Sequence, residues 1–137
     1  MSLDQEMSKN VGAFARFGCN DGHEGAWTYT DANWAVSTGV AFKGAHWHRP
    51  DDTLGIAGVV DGYSPEQIRF LQAGGTGILN GDGNLTYACE KVLETYYDFP
   101  IGKTAHFSFD YQFVGDPACN SDRGPVSVFA VRLHWEQ

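Results

Sequence analysis

The sequence predicts an all-β fold of antiparallel strands, and three observations support this fold class. Several segments alternate apolar and polar residues, which is the two-residue period of a strand with two different faces. The 137 residues include 17 glycines and are 42% hydrophobic and 14% aromatic, a composition that favours a glycine-punctuated β architecture over a helical bundle. No stretch reaches the length of about 18 apolar residues that a transmembrane helix needs. The remaining classes are a soluble β-protein and a β-barrel.

The two C-terminal segments show the clearest alternation. Residues 126–137 have an apolar side that ends in Trp135 and an opposite side that becomes charged toward its end. Residues 107–113 carry four aromatic side chains on one side: Phe107, Phe109, Tyr111 and Phe113. Aromatic residues at alternate positions are typical of a strand with one apolar face. Both segments are therefore predicted strands.

Four further segments complete the prediction of six principal strands. They are residues 11–19, 26–43, 53–60 and 85–99. The longest is expected to contain a bulge near Asn33. In residues 85–99, Lys91 is the exception on an otherwise apolar side.

The connections between these strands differ in length in a regular way. Residues 100–102 predict a tight turn, whereas residues 61–84 and 115–125 are long. The longer loop contains one predicted short helix with a capping box and a glycine stop: Ser64 as N-cap, then Pro65, Gln67 and Gly74. Alternating short turns and long loops are typical of an antiparallel transmembrane β-barrel of the outer-membrane type. If the long loops are external, the chain ends on the periplasmic side.

Charge and cysteine content exclude several functions. The formal net charge is −8, and the scattered lysines and arginines form no basic stripe, so nucleic acid is not an expected partner. Cys19, Cys89 and Cys119 lack the spacing of a zinc site, although a bridge between Cys19 and Cys119 remains open. His46 and His48 would share a face in an extended chain, but without a third ligand they predict no metal site. No cofactor is expected.

The first ten residues differ from the rest of the chain. Residues 1–10 are polar and have no apolar core or small-residue cleavage site, so they do not predict a secretory signal. We expect residues 1–10 to be a polar leader or remnant. Residues 11–137 are expected to be one block of strands.

Five segments resemble the C-terminal third of the carbohydrate-selective porins of the OprB family, with matching order and spacing. These are GAFARFGCNDG from residue 12, HRPDDTLGIAGVVDGYSPEQ from residue 48, AGG followed by GDG within residues 73–83, LETYYDF from residue 93, and DYQFV with NSDRGPVSVFAVRLH within residues 110–134. The resemblance covers almost everything after residue 10.

This resemblance implies a barrel of about sixteen strands in the bacterial outer membrane, through which sugars diffuse. The implied partners are monosaccharides or small oligosaccharides and outer-membrane lipid. Six strands cannot enclose such a pore, because an open sheet leaves two unpaired edges that lipid cannot satisfy. The missing N-terminal strands of the same barrel, or other copies, are therefore expected to complete it.

A sugar channel needs polar groups and aromatic rings on its lumen-facing side. The alternation supplies eight candidates for that side: Arg16, Glu90, Glu94, Tyr96, Asp98, Asp110, Gln112 and Arg132. Aromatic girdles at the membrane interfaces are predicted from residues on or near the apolar sides: Trp27, Tyr29, Trp34, Tyr97, Phe99 and Trp135.

The alternatives to a sugar channel predict different structures. A soluble carbohydrate-binding β-sandwich would bury the aromatic sides in its core, and an isolated fragment could be an inactive partial barrel. Glu90, Glu94, Asp98 and Asp110 offer carboxylates for a glycosidase, but their separation is not set by the sequence. No nucleophile elbow or phosphate loop is present, so no enzyme is predicted.

Overall fold

A computed structural model describes residues 1–22, 32–77 and 83–135. Its strands form one antiparallel sheet in which each strand pairs with the next along the chain. The strands are β1 Ser2–Ser8, β2 Val11–Cys19, β3 Trp34–Lys43, β4 Thr53–Gly62, β5 Glu90–Ile101, β6 Ala105–Gly115 and β7 Val126–Trp135. The sheet is open, with β1 and β7 at its edges.

The predicted count of six strands is wrong, because the described residues contain a seventh strand at the start of the chain. Ser2–Ser8 pairs with β2 over almost its whole length, for example Asp4 with Phe14, and the register shifts only near Ser8. Every residue of β1 is exposed, so this strand is held by backbone pairing and has no buried side chains. Whether residues 1–10 form a separate leader remains a prediction.

The other predicted strands are confirmed, with shifted boundaries. The expected stretch 26–43 is a strand from Trp34 onward, and its residues 26–31 lie outside the described part of the chain. The strand expected to start at residue 85 starts at Glu90. Upstream of it, Tyr87 forms an isolated bridge with Asn120. The tight turn comprises residues 102–104, because Ile101 already pairs with Ala105.

The predicted loop helix is present as α1, Pro65–Gln72. The side chain of Ser64 accepts a hydrogen bond of 3.2 Å from the backbone N–H of Gln67, which satisfies one of the unpaired amides of the first turn. Gly74 follows the helix with a φ of +93°, a conformation that glycine adopts without a steric penalty. The sequence therefore specifies both ends of this helix.

The connections confirm the predicted alternation of lengths. Residues 9–10, 44–52 and 102–104 connect strands at one end of the sheet, which we call the short-connection end. Residues 20–33, 63–89 and 116–125 connect them at the opposite, long-connection end. Consecutive antiparallel strands place alternate connections at opposite ends, so the two groups are separated by the full length of the strands.

The main cluster of buried hydrophobic residues lies among the long connections. Tyr63, Leu71 and Cys119 form it, with Leu71 3% exposed. In the described residues all strands belong to one sheet, and no second sheet covers the aromatic side. Phe109 is 54% and Phe129 79% exposed. None of the helices in the described residues has the length and apolar character needed to cross a bilayer.

Candidate functional site

The strand register decides which side chains share a face of the sheet. Paired residues of adjacent strands lie on the same face, and successive residues of a strand alternate between faces. Following the pairing from β1 to β7 places all eight predicted candidates on one face, which we call the polar face. The opposite, apolar face carries the aromatic stripe that contains Phe107 and Phe109.

One row of the polar face crosses five strands near the short-connection end. Its members pair in sequence from β3 to β7: Lys43, Thr53, Asp98, Ser108 and Arg132. The Ser108 hydroxyl donates a 2.6 Å hydrogen bond to one carboxylate oxygen of Asp98, and His106 Nδ1 lies 2.9 Å from the other. Lys43 Nζ donates to Thr53 Oγ1 at 3.3 Å. These contacts orient donors and acceptors along the row.

The next two rows place amide, carboxylate and phenol groups beside this row. Tyr96 pairs with Asp110, and Glu94 pairs with Gln112. The Gln112 side-chain amide donates to Glu94 Oε2 at 3.1 Å. Four predicted candidates from β5 and β6 thus form a continuous polar surface.

Two aromatic rings on the polar face lie directly over glycines. A Cβ atom added at Gly55 would lie 2.1 Å from the ring of Tyr96, and one added at Gly39 would lie 2.5 Å from the ring of Phe14. The missing side chains at these glycines therefore let both rings lie against the backbone of the sheet. The guanidinium of Arg16 lies 5.0 Å from the centre of the Phe14 ring, within cation–π distance.

Two cavities lie against the polar face, and Tyr96 lines both. The first, of about 630 Å³, lies beside Glu94, Asp98, Asp110 and Arg132. The second, of about 450 Å³, lies between Tyr96 and Phe14, with Asp4 and Glu6 at its border. Both volumes are in the range of small-molecule sites, and both cavities combine an aromatic ring with carboxylates.

Two of the eight candidates lie away from this group. Arg16 is on β2 and forms an exposed 3.7 Å ion pair with Asp4. Glu90 lies at the long-connection end opposite Asp61, and its carboxylate accepts a 2.6 Å hydrogen bond from the backbone N–H of Ala118. Glu90 therefore fixes the connection that follows β6.

The structure adds four residues to the surface that the sequence predicted. Phe14, Lys43, Thr53 and Ser108 occupy polar-face positions, and the last three belong to the row that crosses five strands. The sequence pattern that identifies them is the alternation of faces along a strand. Once one residue is assigned to a face, every second residue of that strand shares the face. Phe14 lies two residues before Arg16, so the same rule gives both residues one face.

The predicted aromatic girdle residues on the described strands occur on the apolar face near both ends of the sheet. Trp34 lies at the long-connection end, opposite Gly62. Tyr97, Phe99 and Trp135 lie at the short-connection end, where Trp135 pairs with Ala105. Trp27 and Tyr29 lie outside the described residues. Rings at two levels are the arrangement expected of interfacial belts.

A buried carboxylate organises the connection between β3 and β4. Asp52, 2% exposed, accepts a 2.6 Å hydrogen bond from Arg49 Nε and another from the Tyr97 hydroxyl. Trp47 Nε1 donates to the same hydroxyl at 3.1 Å. Burial acts to raise the pKa of Asp52, but the hydrogen bonds from Arg49 and Tyr97 outweigh it and hold the pKa below its usual value.

The histidines and cysteines show no metal-binding arrangement in the part of the chain that is described. No group of three or more histidine, cysteine or acidic side chains there could hold a metal ion. Gly44–Trp47 is a 3₁₀ turn, so His46 and His48 do not lie in the extended chain that a shared face requires. All three cysteines are free. Burial raises the pKa of the Cys119 thiol to about 12.

An antiparallel meander with one polar face, one exposed aromatic face and alternating short and long connections is the wall architecture of transmembrane β-barrel proteins. Within this class, the model of the carbohydrate-selective porin family, OprB, matches residues 2–136. The chain belongs to the OprB family, and the resemblance predicted from its motifs is confirmed. OprB porins are outer-membrane proteins and not enzymes. Comparisons with curated proteins and with solved structures gave no match.

Proposed function

We propose that this chain forms part of the wall of a channel through which monosaccharides or small oligosaccharides diffuse passively across the bacterial outer membrane. The observation that carries the proposal is the position of Tyr96 between two cavities of the polar face. Its ring offers an apolar surface for a sugar face, and the surrounding carboxylates offer acceptors for sugar hydroxyls. The family match supports the same solute class.

Weak, repeated contacts suit passive transport better than one tight site. Conduction requires binding that is favourable enough for entry and weak enough for release. The polar face provides several polar groups in neighbouring rows, among them Glu94, Asp110 and Arg132. A sugar can exchange hydrogen bonds from row to row along this surface.

The apolar face suits contact with lipid. Phe109 and Phe129 are more than half exposed on the side opposite the polar groups, and an exposed apolar surface of this kind is stable against hydrocarbon. A β-sandwich would instead need a second sheet over these rings, and the described strands all belong to one sheet. This exposure favours the channel over the soluble sugar-binding module.

Closing the barrel requires further strands, and the topology restricts their number. Seven alternating strands make β1 and β7 run in the same direction, so direct pairing of these edges would be parallel. A closed barrel that is antiparallel throughout needs an even total, and therefore an odd number of additional strands. If a second copy were related to the first by rotation about the membrane normal, β7 of each copy would pair in parallel with β1 of the other. This parallel pairing disfavours closure by a second copy. Strands of the same barrel, preceding this block in sequence, meet the requirement.

The proposal is tested by removing the Tyr96 ring. The Tyr96→Ala chain and the unmodified chain are reconstituted in liposomes, and the swelling rate is measured with glucose outside. Saturation transfer from the protein to glucose is measured in parallel by NMR in a sugar-free detergent. Tyr111→Ala is the matched control, because Tyr111 lies on β6 on the apolar face. We expect Tyr96→Ala, and not Tyr111→Ala, to reduce saturation transfer to glucose, and the swelling rate reports whether the chain closes a channel in the bilayer.

Two results would contradict the proposal. Equal effects of both variants on saturation transfer would exclude a sugar surface at Tyr96. Glucose binding by a detergent-free, cooperatively folded monomer would support the soluble module instead. If the chain binds glucose but the liposomes do not swell, the isolated chain is a partial barrel with the sugar surface intact.

A further inference from the structure

A third cavity lies at the short-connection end and is lined by basic residues from three separate parts of the chain. Its volume is about 570 Å³. Lys9 comes from the turn between β1 and β2, Lys43 from the end of β3, and Lys103 from the turn between β5 and β6. His106 also lines it. The fold therefore brings together cations that are up to 94 positions apart in sequence (103 − 9). We call this cavity the lysine basin.

The lysines of the basin differ from most other cations of the described residues. Elsewhere, the side chains of Arg16, Arg49, Arg69 and Lys91 each lie within 4 Å of a carboxylate of the described residues. Among the described residues, no carboxylate lies that close to the ammonium of Lys9, Lys43 or Lys103. Lys43 Nζ donates to the Thr53 hydroxyl, which is neutral. These three charges are thus available to an external anion.

One carboxylate also lines the basin, and it does not cancel the charge. Asp51 is exposed and faces the same cavity. Its neighbour Asp52 is turned away and is neutralised by Arg49. Asp98 accepts a hydrogen bond from Ser108 and lies against His106. Three lysines against Asp51 leave a net charge of about +2 on these four side chains at neutral pH.

We propose that the lysine basin binds the phosphate group of a small, soluble phosphate ester of about monosaccharide size. Three lysines line this one cavity, and lysine is a common phosphate ligand. The volume exceeds that of the phosphate alone and leaves room for a sugar-sized remainder. A phosphorylated sugar is the class that satisfies both the charge and the size.

The position of the basin favours a soluble ester over a lipid headgroup. Lys43, Pro100 and His106 all occupy polar-face positions in the register. The apolar face, where lipid chains would lie, is on the opposite side of the sheet. A phospholipid phosphate would have to reach around the end of the strands to contact these lysines.

The test measures binding of glucose 6-phosphate to the full chain in a non-ionic, sugar-free detergent, by calorimetry and by the ³¹P chemical shift. The variant is Lys9→Gln/Lys103→Gln, which removes two basin charges and leaves Lys43 in the row beside Asp98. The control is Arg69→Gln/Lys91→Gln, which removes the same charge at or near the long-connection end. We expect the basin variant to weaken glucose 6-phosphate binding about tenfold or more, while the control changes it by no more than about twofold.

Several results would overturn the proposal. These are absence of glucose 6-phosphate binding by the unmodified chain, unchanged binding in the basin variant, and equal weakening in the control, which would indicate a general charge effect. In a further arm, phosphatidylglycerol or phosphatidylcholine, solubilised in the same detergent, competes with glucose 6-phosphate. Displacement by phosphatidylglycerol alone would assign the basin to a lipid phosphate and overturn the soluble ester. Binding of neutral glucose at Tyr96 is measured separately, so either proposal can fail alone.

Discussion

The two ends of the sheet are stabilised by different chemistry. At the long-connection end, Tyr63, Leu71 and Cys119 form a small apolar core. At the short-connection end, the buried carboxylate of Asp52 is held by Arg49 and by the Tyr97 hydroxyl. Between the ends, neither face of the sheet is covered by a second layer in the described residues. Packing beyond strand pairing is therefore concentrated where the connections meet the strands.

This difference determines how each end responds to its surroundings. An apolar core depends on the area removed from water and is almost independent of pH. The contribution of a buried charge to stability depends on its ionised state and on every hydrogen bond that compensates for its burial. We therefore expect cavity-forming substitutions to act mainly at the long-connection end, and protonation of Asp52 to act at the short-connection end.

The largest effect is expected from Leu71→Ala. Leu71 is 3% exposed and contacts the core of the long-connection end, so the substitution leaves a cavity and should destabilise this region by about 2–5 kcal/mol. Hydrogen exchange and limited proteolysis should show opening of residues 63–77 while the strands remain protected. Gln72→Ala, at an exposed position of the same helix, is the control. Equal protection in the two variants would contradict the assigned core.

A smaller effect is expected from Gly44→Ala at the opposite end. A Cβ atom on Gly44 would lie 2.0 Å from the carbonyl oxygen of Arg49, and backbone hydrogen bonds already tie Gly44 to Arg49 and Asp52. The connection must shift, at a cost of about 1–3 kcal/mol. Urea unfolding in detergent micelles measures the loss. Gly18→Ala is the control, because the space around Gly18 is open, and an equal loss in both variants would exclude the steric cause.

Acid should loosen the short-connection end specifically. The pKa of Asp52 is lowered from its usual value of 3.8, so its contribution to stability is fully present above pH 3.8 and is lost as the pH falls through the lower, folded-state pKa. Emission of Trp47, isolated by subtracting the spectrum of Trp47→Phe, should change in that acid range. Asp52→Asn should abolish the transition, and Asp51→Asn should retain it. A transition that persists in Asp52→Asn would assign the acid response to another group.

The features that the sequence predicted correctly are those that local patterns control. Strand alternation placed Glu94, Asp98 and Asp110 on one face, because side-chain direction in a strand has a strict period of two. The helix after Ser64 followed from its capping residues. Neither prediction needed knowledge of distant contacts.

The features that the sequence analysis missed depend on contacts between chain segments that come together only in the folded sheet. Ser2–Ser8 has no buried side chain, so a hydrophobic pattern could not distinguish this edge strand from a polar leader. The Asp52 site joins the connection after β3 to Tyr97 on β5, and the lysine basin joins turns that are far apart in the sequence. The alternation within one strand carries no information about such contacts between distant segments.

The smallest effect is expected from Arg69→Gln, which tests whether the stability of the long-connection end lies in its core. Arg69 and Glu66 form a 2.8 Å ion pair on α1, but their side chains are 72% and 48% exposed. Solvent screens such a pair, so its loss should change the stability of the region by about 0.5 kcal/mol or less. Hydrogen exchange of residues 63–77 should therefore match that of the unmodified chain and differ clearly from that of Leu71→Ala. If Arg69→Gln opened the region as far as Leu71→Ala does, surface charge and not burial would hold this end, and the contrast between the two ends would disappear.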